Sequence, residues 1–471
     1  MKFFIDQHGC AKNQTDGELI AGFLIKKGYD FTLNADEADF ILVNSCGFIQ
    51  SAKKESIDAI YDIKKAYPDA KIILTGCLAE RYANQLIEQM PELDGVFGNG
   101  DLSKIVDFMD RINNERSAQT FGQKGVCGGE RPVLFNFPGS AFVKITEGCS
   151  NHCSFCAIPL IRGEVRSRPE KEILMEVQQL LDDGVYEINL IGQDLAVYGK
   201  EFGTSLAELL KKLAAFKGEF IVRPLYIHPD HFTDDIIEAI KSSSHLLPYF
   251  DIPFQSADDE IIKAMNRKGS FAEYTALVSK IRRELPSAVL RTTFLTGFPG
   301  ETQKAADNTV RFLQEIQPDW SGCFPYSREE DTPAYNFRGR VPAKTARARA
   351  SRLEELQSVI TSQRLDRFAG QELNVLVEEI VSGGENPDNS ENGENTENEG
   401  LAIGRAWFQA PEVDGSVVIR YDLDDASAVK SVIPGSVVTV KVLANTGVDL
   451  DSRFIKIYKK KQEKNERKFI S

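Results

Sequence analysis

Ala141-Phe142-Val143-Lys144-Ile145-Thr146 runs through Glu147-Gly148 into Cys149-Ser150-Asn151-His152-Cys153-Ser154-Phe155-Cys156. The first stretch reads as a strand, rich in β-branched and aromatic residues. The second places three cysteines within eight residues. Three thiolates so spaced can hold three irons of a [4Fe–4S] cluster and leave the fourth iron open to a small molecule. Structural zinc is the rival occupant, but it takes four ligands, and His152 would be cramped as the fourth in so short a loop. A ferredoxin-type cluster needs a fourth cysteine nearby, and the sequence has none there.

Downstream the same strand-then-helix pattern repeats. Residues 141–146, 187–192, 220–227, 249–253, 289–296 and 320–326 read as strands, with helical patterns at 171–181, 206–215, 233–241, 274–284 and 302–314. Six β/α repeats predict a TIM-like (β/α)6 partial barrel over 139–369, with its active site at the C-terminal strand ends. A charged helix at 343–367 closes it.

Upstream, residues 1–120 alternate strands at 1–6, 39–44 and 71–75 with helices at 16–27 and 51–66, which predicts an open parallel α/β domain. Each strand runs into a cysteine: Cys10, Cys46 and Cys77. Ligands of such sheets bind beyond the carboxyl ends of the strands, so the three thiols are expected to converge on one side. Residues 121–138, rich in Gly and Pro, read as a linker. From 370 to 458 short β-rich runs at 373–377, 417–421, 437–442 and 454–458 predict a small antiparallel β-barrel. Residues 383–400, rich in Glu, Asn and Gly, read as a disordered insertion in it, and 459–471 as a frayed basic tail.

Acidic residues outnumber basic ones 70 to 56 among 471 residues, a net charge of −14. A chain that grips nucleic acid through its phosphates is normally basic. No secretory signal or membrane-spanning run is read, so the expected compartment is the cytoplasm, where eight cysteines more often mean metal or catalysis than disulfides. Cys127 and Cys323 read as ordinary thiols. The five histidines form no spaced metal motif, although His228 falls at a strand end. Gly297-Phe298-Pro299-Gly300-Glu301-Thr302 lacks the Lys-Ser/Thr of a phosphate loop and reads as a strand-to-helix turn. Trp407 and Phe408 could belong to a partner surface or be half-buried barrel residues.

The segment Cys149–Cys156, with an aromatic before its last cysteine, resembles the radical S-adenosylmethionine (SAM) signature. In that family the open iron binds SAM, and an electron from the cluster cleaves it to methionine and a 5′-deoxyadenosyl radical. Three N-terminal cysteines, this signature and a small C-terminal barrel together are similar to the layout of the methylthiotransferases. That likeness implies a second [4Fe–4S] cluster on Cys10, Cys46 and Cys77 that takes part in sulfur delivery, a TRAM-like barrel for substrate recognition, and SAM used both as radical source and as methyl donor. Arg162-Gly163-Glu164-Val165-Arg166-Ser167-Arg168 and Gly192-Gln193-Asp194 match the same pattern, which implies that Phe155, Gly192, Gln193 and Asp194 lie near SAM. The resemblance assigns no catalytic residue beyond the cluster ligands.

Within the family, Gly9-Cys10-Ala11-Lys12-Asn13, Asn44-Ser45-Cys46-Gly47-Phe48-Ile49, Ser327-Arg328-Glu329-Glu330-Asp331-Thr332-Pro333-Ala334 and Gly404-Arg405…Ala410-Pro411…Asp414-Gly415 resemble the RimO group. Its members modify an aspartate β-carbon on the twelfth small-subunit ribosomal protein. The chain departs from the family pattern at Ala11, Leu195 and Ser256, where proline, threonine and histidine are usual. Charge votes the same way. Residues 370–458 hold sixteen Asp or Glu against six Lys or Arg, ten against six without the insertion. This favours a basic ribosomal protein as partner and disfavours tRNA. The rivals are a tRNA methylthiotransferase of the MiaB type and, more distantly, a non-catalytic metal-binding interaction protein. An electron donor protein of unknown identity is also implied.

Overall fold

The computed structural model describes residues 1–122, 125, 128–381, 398–459 and 468–469. Its N-terminal sheet is built from β1 (Lys2–Gln7), β2 (Asp30–Phe31), β3 (Phe40–Ser45), β4 (Lys71–Thr75), β5 (Gly95–Gly98) and β6 (Ser117–Gln119), all parallel, in the order β2-β1-β3-β4-β5-β6. A parallel sheet covered on both faces needs continuous apolar strands, and β3 shows why. Phe40 and Leu42 pack beneath helices α1 (Ala11–Lys27) and, further along the chain, Ile105–Ile112, whereas Ile41 and Val43 pack beneath α2 (Gln50–Ala66) and α3 (Gly76–Gln89). With Ile105–Ile112 numbered α4, the sheet has a pair of helices on each face. The sequence pattern gave β1, β3 and β4. It passed over β5, whose terminal glycines carry no side chain, and the polar β6.

Short β7 (Val133–Leu134) leads into the central module. There β8 (Ser140–Lys144) is followed by a two-stranded antiparallel pair, β9 (Thr146–Glu147) and β10 (Arg166–Ser167), which brackets the cysteine loop and α5 (Ile158–Arg162). The series continues with β11 (Glu187–Ile191), β12 (Ile221–Pro224), β13 (Tyr249–Asp251), β14 (Val289–Thr296) and β15 (Trp320–Pro325). Strands β8, β11 and β12 form one parallel sheet and β13, β14 and β15 another. The two meet through a parallel bridge between Val222 and Leu246 and the bond from Ile227 N to Asp251 O, 2.9 Å. Six parallel strands in sequential order therefore curl into the expected α/β partial barrel, with a helix of Ala343–Leu365 packed behind the last two.

The C-terminal module is a closed five-stranded barrel of β16 (Glu372–Val381), β17 (Glu399–Ala406), β18 (Val417–Asp422), β19 (Val437–Asn445) and β20 (Leu450–Lys459). Four of its pairings are antiparallel and one, β18 with β20, is parallel. It packs against the N-terminal ends of the central strands, opposite the cysteine loop. Glu187, first in β11, holds Arg405; Tyr249, first in β13, donates to Asp414 at 2.6 Å; Trp320, first in β15, donates its indole N–H to Phe408 O at 2.9 Å. Phe408 is buried and stacked on Phe368, with ring centroids 3.9 Å apart, and Trp407 O accepts from Arg223. Through their backbone carbonyls the two aromatics thus help fasten the barrel to the core, Phe408 buried and Trp407 half-buried.

Three connecting segments differ from the sequence reading. Of the expected linker 121–138, the described stretch from 128 onward is anchored: Arg131 is buried, bonds Phe142 O at 2.7 Å and pairs with Glu18 of α1 and with Glu176. Most of the expected insertion 383–400 lies outside the described residues, but Glu399 and Gly400 already belong to β17, where they pair with Asp422 and Tyr421. The tail 459–471 also lies largely outside them; yet Lys468 and Phe469 form β21, which pairs in parallel with β7 and packs Phe469 onto the core. An apolar residue in a basic run found a strand edge, which composition alone could not reveal.

Candidate functional site

Strands β1, β3 and β4 are neighbours in register, so their carboxyl ends lie side by side. Cys10 caps α1 just beyond β1, Cys46 follows β3, and Cys77 sits in the first turn of α3 just after β4. Each cysteine has a glycine beside it in the chain: Gly9, Gly47 and Gly76. A Cβ on Gly9 would come within 3.1 Å of Cys46 Cβ, and one on Gly47 within 2.7 Å of the Cys77 backbone. Gly76 is left-handed, φ 89°, and a Cβ there would strike Ser45 O at 2.4 Å. These glycines let the three thiol-bearing turns touch. Asn13 stitches them, donating to His8 O, Asn44 O and Ser45 O at 2.8–3.2 Å while its Oδ1 faces Cys77 Sγ at 3.9 Å.

The three thiols feel one another. Burial, then repulsion from Cys77, pushes the Cys46 thiol up to about 12, and burial raises Cys77 as well. Cys10 keeps an exposed face; the protein crowded around it works to raise its pKa, but Lys12 and Arg162 outweigh that and hold it below its ordinary value. Carrying three thiolates here requires a bound cation, and the donor set fits an iron–sulfur cluster.

The second group follows β9. Cys149 N bonds Gly163 O (2.9 Å), Ser154 N bonds Met265 O (3.0 Å) and Cys156 N bonds Cys153 O (3.0 Å), while Ala334 N bonds Ser154 O (2.8 Å). The loop is therefore pinned from two sides of the barrel mouth. Burial pushes Cys149 up to about 11 and raises Cys153 and Cys156, Cys156 being further raised by its two partners. Among the described residues no fourth cysteine joins either group, and Cys323 is a buried core thiol on β15. Cys127 lies outside the described residues.

Phe155 packs on Phe298, ring centroids 6.5 Å apart. Gly192 lies against Thr146, where a Cβ would meet Oγ1 at 2.0 Å. Gln193 donates to Glu147 at 3.0 Å, and its Oε1, like Thr146 Oγ1, is buried without a hydrogen-bond partner among the described residues. Orphaned polar atoms beside the cysteine loop fit a polar cofactor at the barrel mouth. Asp194 lies beside the same loop. Its carboxylate accepts from Asn151 (3.0 Å), His228 N (3.2 Å) and the ring of His231 (2.7 Å), so it braces the cysteine loop through Asn151.

Sequence reasoning missed part of this site. Asp194, His228 and His231 present ligand atoms within 4.8 Å of one another. Arg267 lies 2.9 Å from His228 Nε2, and burial together with that guanidinium holds His228 far below its ordinary pKa, so a neutral imidazole sits between Arg267 and Cys153. Arg162 was visible only as part of a motif. It is buried, donates to Cys77 Sγ at 3.1 Å and pairs with Asp16 (2.7 Å) and Glu147 (3.0 Å), both of which also hold Lys144. A long cationic side chain six residues past Cys156, with acidic residues in reach, was the available signal.

Known proteins resemble this chain in each of its three modules. Residues 2–98 match the model described as uncharacterized protein family UPF0004, residues 143–313 the radical SAM superfamily and residues 369–455 the TRAM domain. The chain is 48% identical to a protein of Treponema denticola named ribosomal protein uS12 methylthiotransferase RimO, over 95% of this chain and 99% of that one. Proteins of the same name from Carboxydothermus hydrogenoformans (35%, covering 97% and 100%) and Thermotoga maritima (38%, covering 89% and 94%) are also similar. Among solved structures, a radical SAM methyltransferase, TsrM, from Kitasatospora setae superposes with a TM-score of 0.53 at 14% identity over 71% of this chain and 74% of its own, a likeness of fold.

Proposed function

The chain belongs to the family of radical SAM ribosomal protein uS12 methylthiotransferases, and from that membership we propose that it adds a methylthio group to the β-carbon of an aspartate of uS12. One observation carries the reading at the level of the site. Two groups of three thiols, neither joined by a fourth among the described residues, flank a single buried network of Arg162, Asp16, Glu147 and Lys144.

Cys149, Cys153 and Cys156 would hold one [4Fe–4S] cluster and Cys10, Cys46 and Cys77 the other. When bound, the first supplies the electron that splits SAM into methionine and a 5′-deoxyadenosyl radical. The chain's own residues do the rest by position. Phe155 and Phe298 wall the cysteine loop with apolar surface. Gln193 Oε1 and Thr146 Oγ1 offer hydrogen-bonding atoms to SAM. Asp194 and Asn151 keep the loop in place. No general base is needed at an aspartate β-carbon, since a radical removes hydrogen where acid–base chemistry reaches poorly.

The barrel's charge supports protein over tRNA as substrate. Arg405 is drawn into the interior together with Glu378 and Asp414, while Glu372, Glu379, Asp422, Asp424 and Asp425 stay exposed. A basic ribosomal protein suits such a surface. An external one-electron donor protein completes the system, in a compartment that keeps thiols reduced. No helix among the described residues is long and apolar enough to cross a membrane. Mass spectrometry of uS12 and of tRNA, from cells lacking and then regaining this chain, tests the proposal. A methylthio group restored on the uS12 aspartate is the expected result; restoration on tRNA with uS12 unchanged would overturn it.

A further inference from the structure

The geometry points to Arg162 as the residue that sets the reduction potential of the N-terminal cluster, through its hydrogen bond to Cys77. This rests on the reading above that Cys10, Cys46 and Cys77 carry a cluster.

Arg162 does not belong to the N-terminal module. It ends α5, six residues after Cys156, and Gly163 behind it turns the chain at φ 72°. Its side chain leaves the central module and reaches the far wall, where Nη2 lies 3.1 Å from Cys77 Sγ. Cys77 also packs on Ala157 and Ile161 of that same segment. The guanidinium is held from behind, by Asp16 of α1 at 2.7 Å and Glu147 of β9 at 3.0 Å. Lys144 ties those two carboxylates together. With two cations and two carboxylates the tetrad is neutral overall, but the group nearest the sulfur is the positive one. Its side chain is only 3% exposed, so solvent screens it little.

Hydrogen bonds to cluster sulfurs, net charge and burial are the levers by which a protein sets an iron–sulfur potential. A reduced cluster carries one more negative charge than an oxidised one. A fixed guanidinium against a ligand sulfur stabilises the reduced form and raises the potential. Asn99 Nδ2, 3.7 Å from the same sulfur, is a longer and neutral contact. Among the described residues Arg162 is the cation in hydrogen-bond reach of a thiol in this group. Glu147 also accepts from Gln193 at 3.0 Å, so the charge at Cys77 and the polar wall of the barrel mouth are set by one continuous network.

The test uses the full chain with Cys149→Ala, Cys153→Ala and Cys156→Ala, so that after anaerobic reconstitution any cluster reports from the N-terminal thiols. The midpoint potential is read by redox titration with electron paramagnetic resonance. Adding Arg162→Gln is expected to make it more negative by at least a tenfold change in the oxidised-to-reduced ratio at fixed poise, about 59 mV for a one-electron couple. Arg162→Lys, which keeps the charge, should recover part of that shift. Should Arg162→Gln fail to fold with its two carboxylates facing one cation, Asp16→Asn/Arg162→Gln restores the balance and is read instead. An unchanged midpoint with iron fully retained would overturn the proposal. Failure of the Arg162-containing protein to take up iron would instead overturn the reading of Cys10, Cys46 and Cys77 as cluster ligands.

Discussion

Lys53 on α2 and Glu329 in the loop after β15 meet at 2.5 Å across the seam between the N-terminal sheet and the partial barrel. Arg81 of α3 adds a second cation to the same carboxylate oxygen at 2.8 Å, and Ser327 bonds the other oxygen. Burial works to raise the Glu329 carboxyl, but Lys53, Ser327 and Arg81 hold it below its ordinary 4.5. The stabilisation is therefore complete above that value and lost as pH falls through the lowered one. Glu329→Gln leaves two buried cations uncompensated and should cost about 3–5 kcal/mol. Calorimetry at neutral pH should show the loss, and wild type should approach the variant only on acidification below the ordinary carboxylate range.

Gly76→Ala forces a side chain into a left-handed conformation and against Ser45 O. About 1–3 kcal/mol of backbone strain is expected, with loss of iron from the Cys10, Cys46 and Cys77 group but not from the other. Gly28 is the control: it is also left-handed, φ 97°, but a Cβ there meets nothing within 4 Å. Gly28→Ala should cost stability and keep all the iron. Iron and sulfide counting distinguishes the two.

Cys149→Ala, Cys153→Ala and Cys156→Ala together should leave about half the iron bound and abolish SAM cleavage. Zinc in place of iron after anaerobic purification of the wild-type chain would contradict the assignment.

The converse variant, Cys10→Ala, Cys46→Ala and Cys77→Ala, should still form 5′-deoxyadenosine from SAM but yield no methylthiolated product. Full product formation would show that these thiols are dispensable.

Asp194→Asn keeps the size of a side chain that accepts from Asn151, His228 and His231. Losing its charge loosens the cysteine loop from outside the ligand set. Such outer contacts typically change metal affinity about 10–100-fold, so iron should leave the Cys149 group faster under chelator. Iron release as fast as wild type would place the burden on Arg267 and His228 instead.

The sequence made the strand ends readable because β3, β4 and β8 are largely apolar runs, and it made the thiols readable because cysteines follow shortly after those runs. What it could not convey were contacts made across the fold. Asn13 looks like one more polar residue until three strand ends converge on it. Arg162 and Cys77 are 85 positions apart. That Asp194 braces the cysteine loop depends on where His231 folds back. Strand β17 escaped notice because it begins inside an Asn- and Glu-rich run, and β21 because its pairing partner β7 lies more than three hundred residues upstream.

The joint between the small barrel and the core limits how this protein could be re-engineered or could have evolved. Arg405 reaches Glu187 through two hydrogen bonds of 3.0 and 2.7 Å, beside Arg223, while Asp414 lies under Arg291 and Tyr249. These are fittings that seal the floor of the reaction chamber. A barrel transplanted from a relative with another substrate would arrive without its half of the joint and leave Glu187 and Arg291 buried without those partners. A productive graft must carry the floor-facing residues Arg405, Trp407, Phe408 and Asp414 and exchange only the outer rim. The acidic turn at Asp422, Asp424 and Asp425 is exposed and takes no part in the joint, so changes there leave the floor intact.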